Sequence, residues 1–285
     1  MKVITSIREM SRFSENLRCQ GQTIAFVPTM GYLHEGHLAL MAEGKKKADH
    51  LVVSIFVNPT QFGPSEDFST YPRAMEQDLE QCRKIGADTV FTPGSDDIYP
   101  DGFQTYVALE KLPLHLCGLS RPVFFKGVAT VVTKLFNIVN PHVALFGEKD
   151  FQQLAIIRQL VIDLNFGIEI VGVPIVREPD GLAMSSRNKY LTPKQRPHAL
   201  LLHRSLAAAQ KMVEKGETDA GKIVALAGEM LTSCADIRVD YVSICDPATL
   251  DEIAVIEGAA LMAIAVWLGE TRLIDNQMLV QANGM

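Results

Sequence analysis

Thr23-Ile24-Ala25-Phe26-Val27-Pro28-Thr29-Met30-Gly31-Tyr32-Leu33-His34-Glu35-Gly36-His37 runs from a short apolar stretch through a glycine-containing loop. Leu38, Met41 and Ala42 then begin an apolar helical face. Thr23 to Val27 reads as a strand, so the whole segment is a strand–loop–helix unit. Outward from it the pattern repeats. Leu51 to Val57 is a continuous apolar run of strand length, bounded by Asn58-Pro59. Met75, Leu79 and Cys82 carry a helix ending at Gly86, before a short strand at Thr89 to Phe91. Val128, Val131, Val132, Leu135 and Val139 mark another helix, closed by Pro141. Strand His142 to Phe146, helix Phe151 to Asn165 and strand Ile168 to Val176 follow. Upstream, Ser6 with Glu9 forms a capping box for a helix carrying Met10, Phe13 and Leu17. Strands apolar throughout, alternating with amphipathic helices, imply a parallel sheet covered on both faces. The expected fold is α/β, a doubly wound, Rossmann-like sheet, and its ligands belong at the carboxyl ends of the strands.

After residue 176 the pattern changes. Thr192 and Pro193 are expected to cap and open a long helix carrying Leu201, Leu202, Leu206 and Met212. A second helix starts near Asp219, and strands follow at Arg238 to Cys245, Ala260 to Leu268 and Arg272 to Leu279. The expected organisation is an α/β domain over 1–176 and a smaller α+β domain over 177–285.

The chain has 285 residues, enough for about two domains at roughly 150 residues each. Hydrophobic residues are 47% and charged residues 21%, which is globular usage and excludes a disordered chain. With 27 basic and 33 acidic side chains the net charge is −6, opposite to what a nucleic-acid coat or a polybasic membrane footprint needs. The longest apolar run, Ala259 to Leu268, is too short to span a bilayer. Five scattered cysteines, Cys19, Cys82, Cys117, Cys234 and Cys245, without a C-x-x-C pair or an apolar leader, read as reduced thiols in a cytoplasmic protein.

Three loops at strand ends carry the chemistry. Gly31 and Gly36 have P-loop spacing, but His37 and Leu38 stand where that motif needs Lys and Ser or Thr. What remains is His34 and His37, two imidazoles three residues apart at a helix entrance, suited to donating to phosphate oxygens. A metal site through H-x-x-H lacks a third ligand at companion spacing. Gly147-Glu148-Lys149-Asp150 again joins a strand to a helix, with a lysine to neutralise phosphate and an aspartate to accept from a ribose. Met184-Ser185-Ser186-Arg187-Asn188 offers two hydroxyls and a guanidinium to a polyphosphate. Asn58, Gln61 and Gln153 offer amides that bind hydroxyl or carboxylate groups without adding charge. No G-x-G-x-x-G occurs. Residue chemistry alone leads to a transferase or ligase acting at a nucleotide phosphate.

Pro28-Thr29-Met30-Gly31 with His34-x-Gly36-His37 resembles the HIGH motif of the nucleotidylyltransferase superfamily, and Met184 to Asn188 its KMSKS-type counterpart. Val53 to Pro59, Tyr71-Pro72-Arg73, Phe146 to Gln153, Asp180 to Leu191, Trp267-Leu268-Gly269 and Thr271 to Asn276 are similar in wording and order to the bacterial pantoate–β-alanine ligases (pantothenate synthetases). The resemblance implies ATP-dependent condensation of (R)-pantoate with β-alanine through a pantoyl adenylate, with Mg2+, in a cytoplasmic homodimer. It implies that Met30, Gly31, Tyr32, Leu33, His34, Glu35, Gly36 and His37 bind ATP, with His34, His37 and Lys149 catalytic and His37 the proton donor. It further implies ATP contacts from Gly147, Glu148, Lys149, Asp150, Val176, Met184, Ser185, Ser186 and Arg187, with Asp150 on the ribose and Val176 at the adenine. Asn58, Gln61 and Gln153 would hold pantoate, Asp78 would meet magnesium, and residues 177–285 would act as a lid.

One stretch departs from that family. Where members read close to L-E-G-x-x-R-P-G-H-F-x-G-V, this chain has Cys117 for the acid, Val123 for a glycine and Phe124 for the histidine. Two rival readings are another adenylating enzyme and a non-catalytic or tRNA-binding relative. The amide set, lacking extra cations, favours a small hydroxy acid, and the acidic chain disfavours tRNA.

Overall fold

The computed structural model describes residues 1–64 and 66–281. They form two compact units: 1–110, 121–148 and 156–174 make the first, and 111–120, 149–155 and 175–285 the second. The expected boundary at 176/177 falls two residues from the last break. Two upstream segments, 111–120 and 149–155, group with the C-terminal part.

The first unit contains, in chain order, β1 (Lys2–Ile4), α1 (Ile7–Cys19), β2 (Ile24–Thr29), α2 (Glu35–Lys47), β3 (His50–Ile55), α3 (Met75–Ile85), β4 (Thr89–Phe91) and α4 (Ser95–Ile98). The chain continues through α5 (Leu116–Ser120), α6 (Phe124–Val139), β5 (Val143–Gly147), α7 (Phe151–Asp163) and β6 (Glu169–Val173). The six strands are all parallel in the order β1-β4-β3-β2-β5-β6. The sheet is doubly wound. Ala25 and Val27 of β2 pack with Leu40, Met41, Val53 and Leu145 on one face, while Phe26 turns to Phe136 of α6 on the other. Ser6 Oγ accepts the Glu9 N–H at 3.4 Å at the start of α1, one of the two bonds of the expected capping box. Strand order reverses between β2 and β5, which makes that crevice the expected ligand position.

In the second unit, α8 (Arg196–Glu214) and α9 (Ala220–Thr232) lie against an antiparallel sheet of β7 (Ile237–Cys245), β8 (Ala260–Leu268) and β9 (Thr271–Leu279), with β8 central. Met262, Ile264 and Val266 of β8 join Leu202, Leu206 and Ile223 in one core. Leu261 and Ala263 join Leu116, Cys245 and Leu250 in another. Burial on both faces explains the unbroken apolar run. The long helix begins at Arg196 rather than Pro193. Thr192 N and Oγ1 both donate to Gln195 Oε1 at 3.0 Å, so 192–195 is spent as a turn and Pro197 occupies the first helical turn. Among the described residues no helix is long and apolar enough to cross a membrane.

Candidate active site

The loop after β2 is bent by two consecutive left-handed residues, Gly31 (φ 80°) and Tyr32 (φ 51°). A Cβ on residue 31 would lie 2.9 Å from Asp78 Oδ2 and 3.0 Å from Ile55 Cγ2, so both conformation and space demand glycine. Asp78, on the first turn of α3 and 2% exposed, fastens the bend. Its Oδ2 accepts the Tyr32 N–H and its Oδ1 the Leu33 N–H, each at 2.8 Å. Thr29 Oγ1 accepts the Gly31 N–H at 3.2 Å and donates to Ser54 O at 2.7 Å.

These contacts change two expectations. The Tyr32 and Leu33 amides are turned inward to Asp78, so those residues cannot offer their N–H groups to ATP. The Asp78 carboxylate is buried against backbone donors, with no second carboxylate shown beside it, which does not fit a magnesium ligand. Asp78 is a residue that positions the loop.

His34 caps α2 and His37 sits at its third residue. Their ring centroids are 4.1 Å apart. The His34 N–H donates to His37 Nδ1 at 3.3 Å. An accepting Nδ1 carries no proton, so the neutral His37 ring holds its hydrogen on Nε2. The N–H groups of Glu35 and Gly36 lie in the same first turn, where a helix has no internal acceptor. Imidazole donor, amides and positive dipole end together form an anion-binding geometry.

The amides sit at the end of β3. Asn58 and Gln61 are 1% and 6% exposed. Asn58 Oδ1 accepts from Tyr99 Oη at 2.7 Å and Thr60 Oγ1 at 2.9 Å. Its Nδ2 donates to Gln61 Oε1 at 3.0 Å and Gly127 O at 3.2 Å. Asn58 therefore has its hydrogen bonds made, and its effect is to orient Gln61. Gln61 Nε2 then lies 3.2 Å from Met30 Sδ, a weak acceptor that a substrate oxygen can outcompete. Residue 127 must be glycine, because a Cβ there would meet Thr60 O at 2.4 Å. Tyr99 was not legible as a site residue. Burial pushes its phenol up to about 12, which keeps it a hydrogen-bond donor at physiological pH.

The remaining candidates divide after β5: Gly147 and Glu148 belong to the first unit, and the others to the second. Lys149 Nζ lies 3.6 Å from Asp150 Oδ2, and Lys149 O accepts from Asn276 Nδ2 at 2.8 Å. Gln152 is structural, accepting the Cys117 N–H at 3.0 Å and donating to Leu112 O and His115 O at 2.9 and 2.7 Å. Gln153 is half-buried, and its side chain makes no hydrogen bond among the described residues. Val176 and Met184 are brought together by the Met184 N–H, which donates to Val176 O at 2.9 Å. Ser185 Oγ accepts the Arg187 N–H at 3.3 Å, and Ser186 opens a short 3-10 turn over 186–190. Arg177 clamps Asp275 with two hydrogen bonds of 2.6 and 3.0 Å. Arg196 binds Glu178 and, at 2.9 Å, Asp180.

At the departing positions Cys117 is buried, Val123 is 48% exposed, and Phe124 lies under the Arg121 guanidinium at 3.8 Å. Arg121 in turn pairs with Glu66 at 2.5 Å. Cys117 and Phe124 are thus absorbed into local packing, while Val123 stays exposed.

The family model described as Pantoate-beta-alanine ligase matches residues 2–278. The chain belongs to the pantoate–beta-alanine ligase family. It is 60% identical over 279 residues to the pantothenate synthetase of Desulfatibacillum aliphaticivorans, covering 98% of this chain and 99% of that one. The Geobacter sulfurreducens enzyme of the same name is 56% identical with the same coverage. The crystal structure of the Thermus thermophilus pantothenate synthetase superposes with a TM-score of 0.93 at 42% identity, covering 98% of this chain and all of that one. The Francisella tularensis ligase, solved in complex with beta-gamma ATP and beta-alanine, superposes at 0.81 with 33% identity, covering 98% and 97%. As a pantoate–beta-alanine ligase the chain uses ATP to condense (R)-pantoate with β-alanine. Pantoyl adenylate is the intermediate, and AMP and pyrophosphate are released.

Proposed function

We propose that the loop 30–37 holds the ATP phosphates through the first turn of α2 and the Nε2–H of His37, with His34 stacked beside it. The observation that carries this is the His34 N–H to His37 Nδ1 bond, which puts the ring proton of His37 on Nε2. Adenylation moves charge onto the departing pyrophosphate, and fixed donors aimed at that charge lower the barrier. Lys149 supplies a cation to the same phosphates, Asp150 meets the ribose and Val176 the adenine. Met184 to Arg187 close over the triphosphate as part of a lid formed by the second unit.

In this reading Gln61 and Gln153 hold pantoate, and Asn58 acts on pantoate through Gln61. The pantoate carboxylate attacks the α-phosphorus of ATP and pyrophosphate leaves. The β-alanine amine then attacks the acyl carbon, and AMP departs. Magnesium accompanies the ATP phosphates and not Asp78. Five free thiols suit a reducing cytoplasm, and the family resemblance implies a homodimer, which light scattering would test.

ATP–pyrophosphate exchange with pantoate, in the absence of β-alanine, tests the reading. Exchange that requires pantoate is expected. Exchange that ignores pantoate, or none from a folded protein that binds ATP, would overturn it.

A further inference from the structure

Away from these loops, three side chains of the second unit converge for which the ligase reaction has no use. His198 stands on the first turn of α8, and Cys234 and Asp236 lie on the turn joining α9 to β7. That turn is closed by the Cys234 N–H donating to Leu231 O at 3.3 Å and the Ile237 N–H donating to Cys234 O at 3.1 Å. Thiol and carboxylate thus come from one tight turn and the imidazole from the neighbouring helix. One ligand atom from each lies within 4.8 Å of the other two.

A second observation concerns the imidazole. His198 Nδ1 is sealed from solvent and makes no hydrogen bond among the described residues, although Asp236 Oδ2 is only 3.0 Å away. A proton on Nδ1 makes this contact an ion pair, and a metal cation can take that proton's place between the two atoms. The C-terminal end of α9 puts the negative end of a helix dipole beside Cys234 and Asp236, set against the positive N-terminal end of α8 at His198.

We propose that His198, Cys234 and Asp236 bind a borderline-soft divalent transition-metal ion of the zinc class. Imidazole, thiolate and carboxylate match that class and not magnesium or calcium, which take oxygen ligands. Metal–ligand bonds of about 2.0–2.3 Å place tetrahedral donors about 3.3–3.7 Å apart, so closure needs side-chain rotation of about 1 Å and no change of fold. Water would complete the fourth position. Binding releases the Cys234 thiol proton and ties the start of α8 to the α9–β7 turn, so it stabilises the folded chain.

The test is Co2+ titration of the full, chelator-treated chain under reducing conditions. One Co2+ per chain is expected, with thiolate-to-cobalt charge-transfer absorption in the near ultraviolet that Zn2+ abolishes and millimolar Mg2+ does not. Cys234→Ser should remove that absorption. His198→Ala and Asp236→Asn should weaken binding by at least about tenfold, since loss of groups that merely support metal ligands already costs 10–100-fold. Added Zn2+ should raise the melting midpoint of the unaltered chain and not of these variants. Cobalt held by His34 and His37 gives no thiolate band, so it cannot mimic the result. Absence of the band overturns the proposal. Its persistence in Cys234→Ser does so too, by pointing to the exposed Cys19.

Discussion

In the first unit the groups proposed to meet the substrates are fixed from behind by neutral side chains and one buried carboxylate. Asp78 holds the phosphate loop, while Tyr99 and Asn58 hold Gln61, all through bonds of 2.7–3.0 Å. In the second unit, beyond the buried Asp275, the segment 178–196 is fastened by the buried Asn188, whose Nδ2 donates to Glu178 Oε1 at 2.7 Å and Ala183 O at 3.0 Å, and by Arg196 to Glu178 and Asp180, side chains 20–35% exposed. The difference is one of dielectric. Buried bonds keep their strength in salt and are costly to lose, whereas exposed ion pairs are weak and screened. The phosphate loop of the first unit is therefore pre-organised, while in 178–196 only the Arg196 ion pairs can yield at small cost and the Asn188 bonds resist rearrangement.

The largest effect should come from the donors that both scaffolds serve. His37→Ala in the first unit and Lys149→Ala in the second should each lower the adenylation rate by on the order of 10²–10³, with melting curves unchanged. Single-turnover adenylate formation checks this. Near-normal rates in either variant would break the assignment of that unit's phosphate contact.

Asp78→Asn comes next. The substituted amide would turn an N–H toward the Tyr32 or Leu33 N–H, leaving a buried donor unpaired. Urea unfolding should show a loss of about 1–3 kcal/mol. The rate should fall with it as the loop loosens, while the Mg2+ concentration for half-activity stays put. A shifted Mg2+ requirement with unaltered stability would return Asp78 to the metal.

How far these roles were legible depends on where their cause lies in the chain. β2, β3, β5 and β8 are legible because strands buried on both faces are apolar throughout. β1 was not read, since three residues at a sheet edge give no periodicity. The HIGH-like and KMSKS-like segments were visible because their residues are contiguous. Resemblance alone links Asp78 to magnesium, because nothing near it in sequence shows that it serves Tyr32 and Leu33, 46 and 45 residues away. Tyr99 escaped for the same reason, standing 41 residues from Asn58. Side chains acting through a distant backbone leave no local pattern to read.

Tyr99→Phe should have a smaller effect, because Thr60 Oγ1 still donates to Asn58. About 0.5–1.5 kcal/mol should be lost, with a higher KM for pantoate and an unchanged KM for ATP. The pH dependence has a definite sign. The folded phenol is pushed up to about 12 from an ordinary value of 10.0, so folding favours the protonated form. This contribution is intact below pH 10 and is lost as pH rises through about 12. Urea midpoints from about pH 9 to 12 should fall less steeply in Tyr99→Phe, and equal slopes would deny the phenol its buried role.

Arg196→Gln should do least and discriminate best. Its two ion pairs are partly solvated, so their loss should cost under about 1 kcal/mol at low salt. At 1 M salt, where the screening length is about 3 Å, the variant and the unaltered chain should converge in melting midpoint and in KM for ATP. The Asp78→Asn deficit should survive the same salt, because it arises from a buried unpaired donor and not from a screened charge. If the Arg196 deficit also survives, these ion pairs hold 178–196 as firmly as buried bonds hold the phosphate loop, and the proposed closure of that segment over the triphosphate would carry a larger cost.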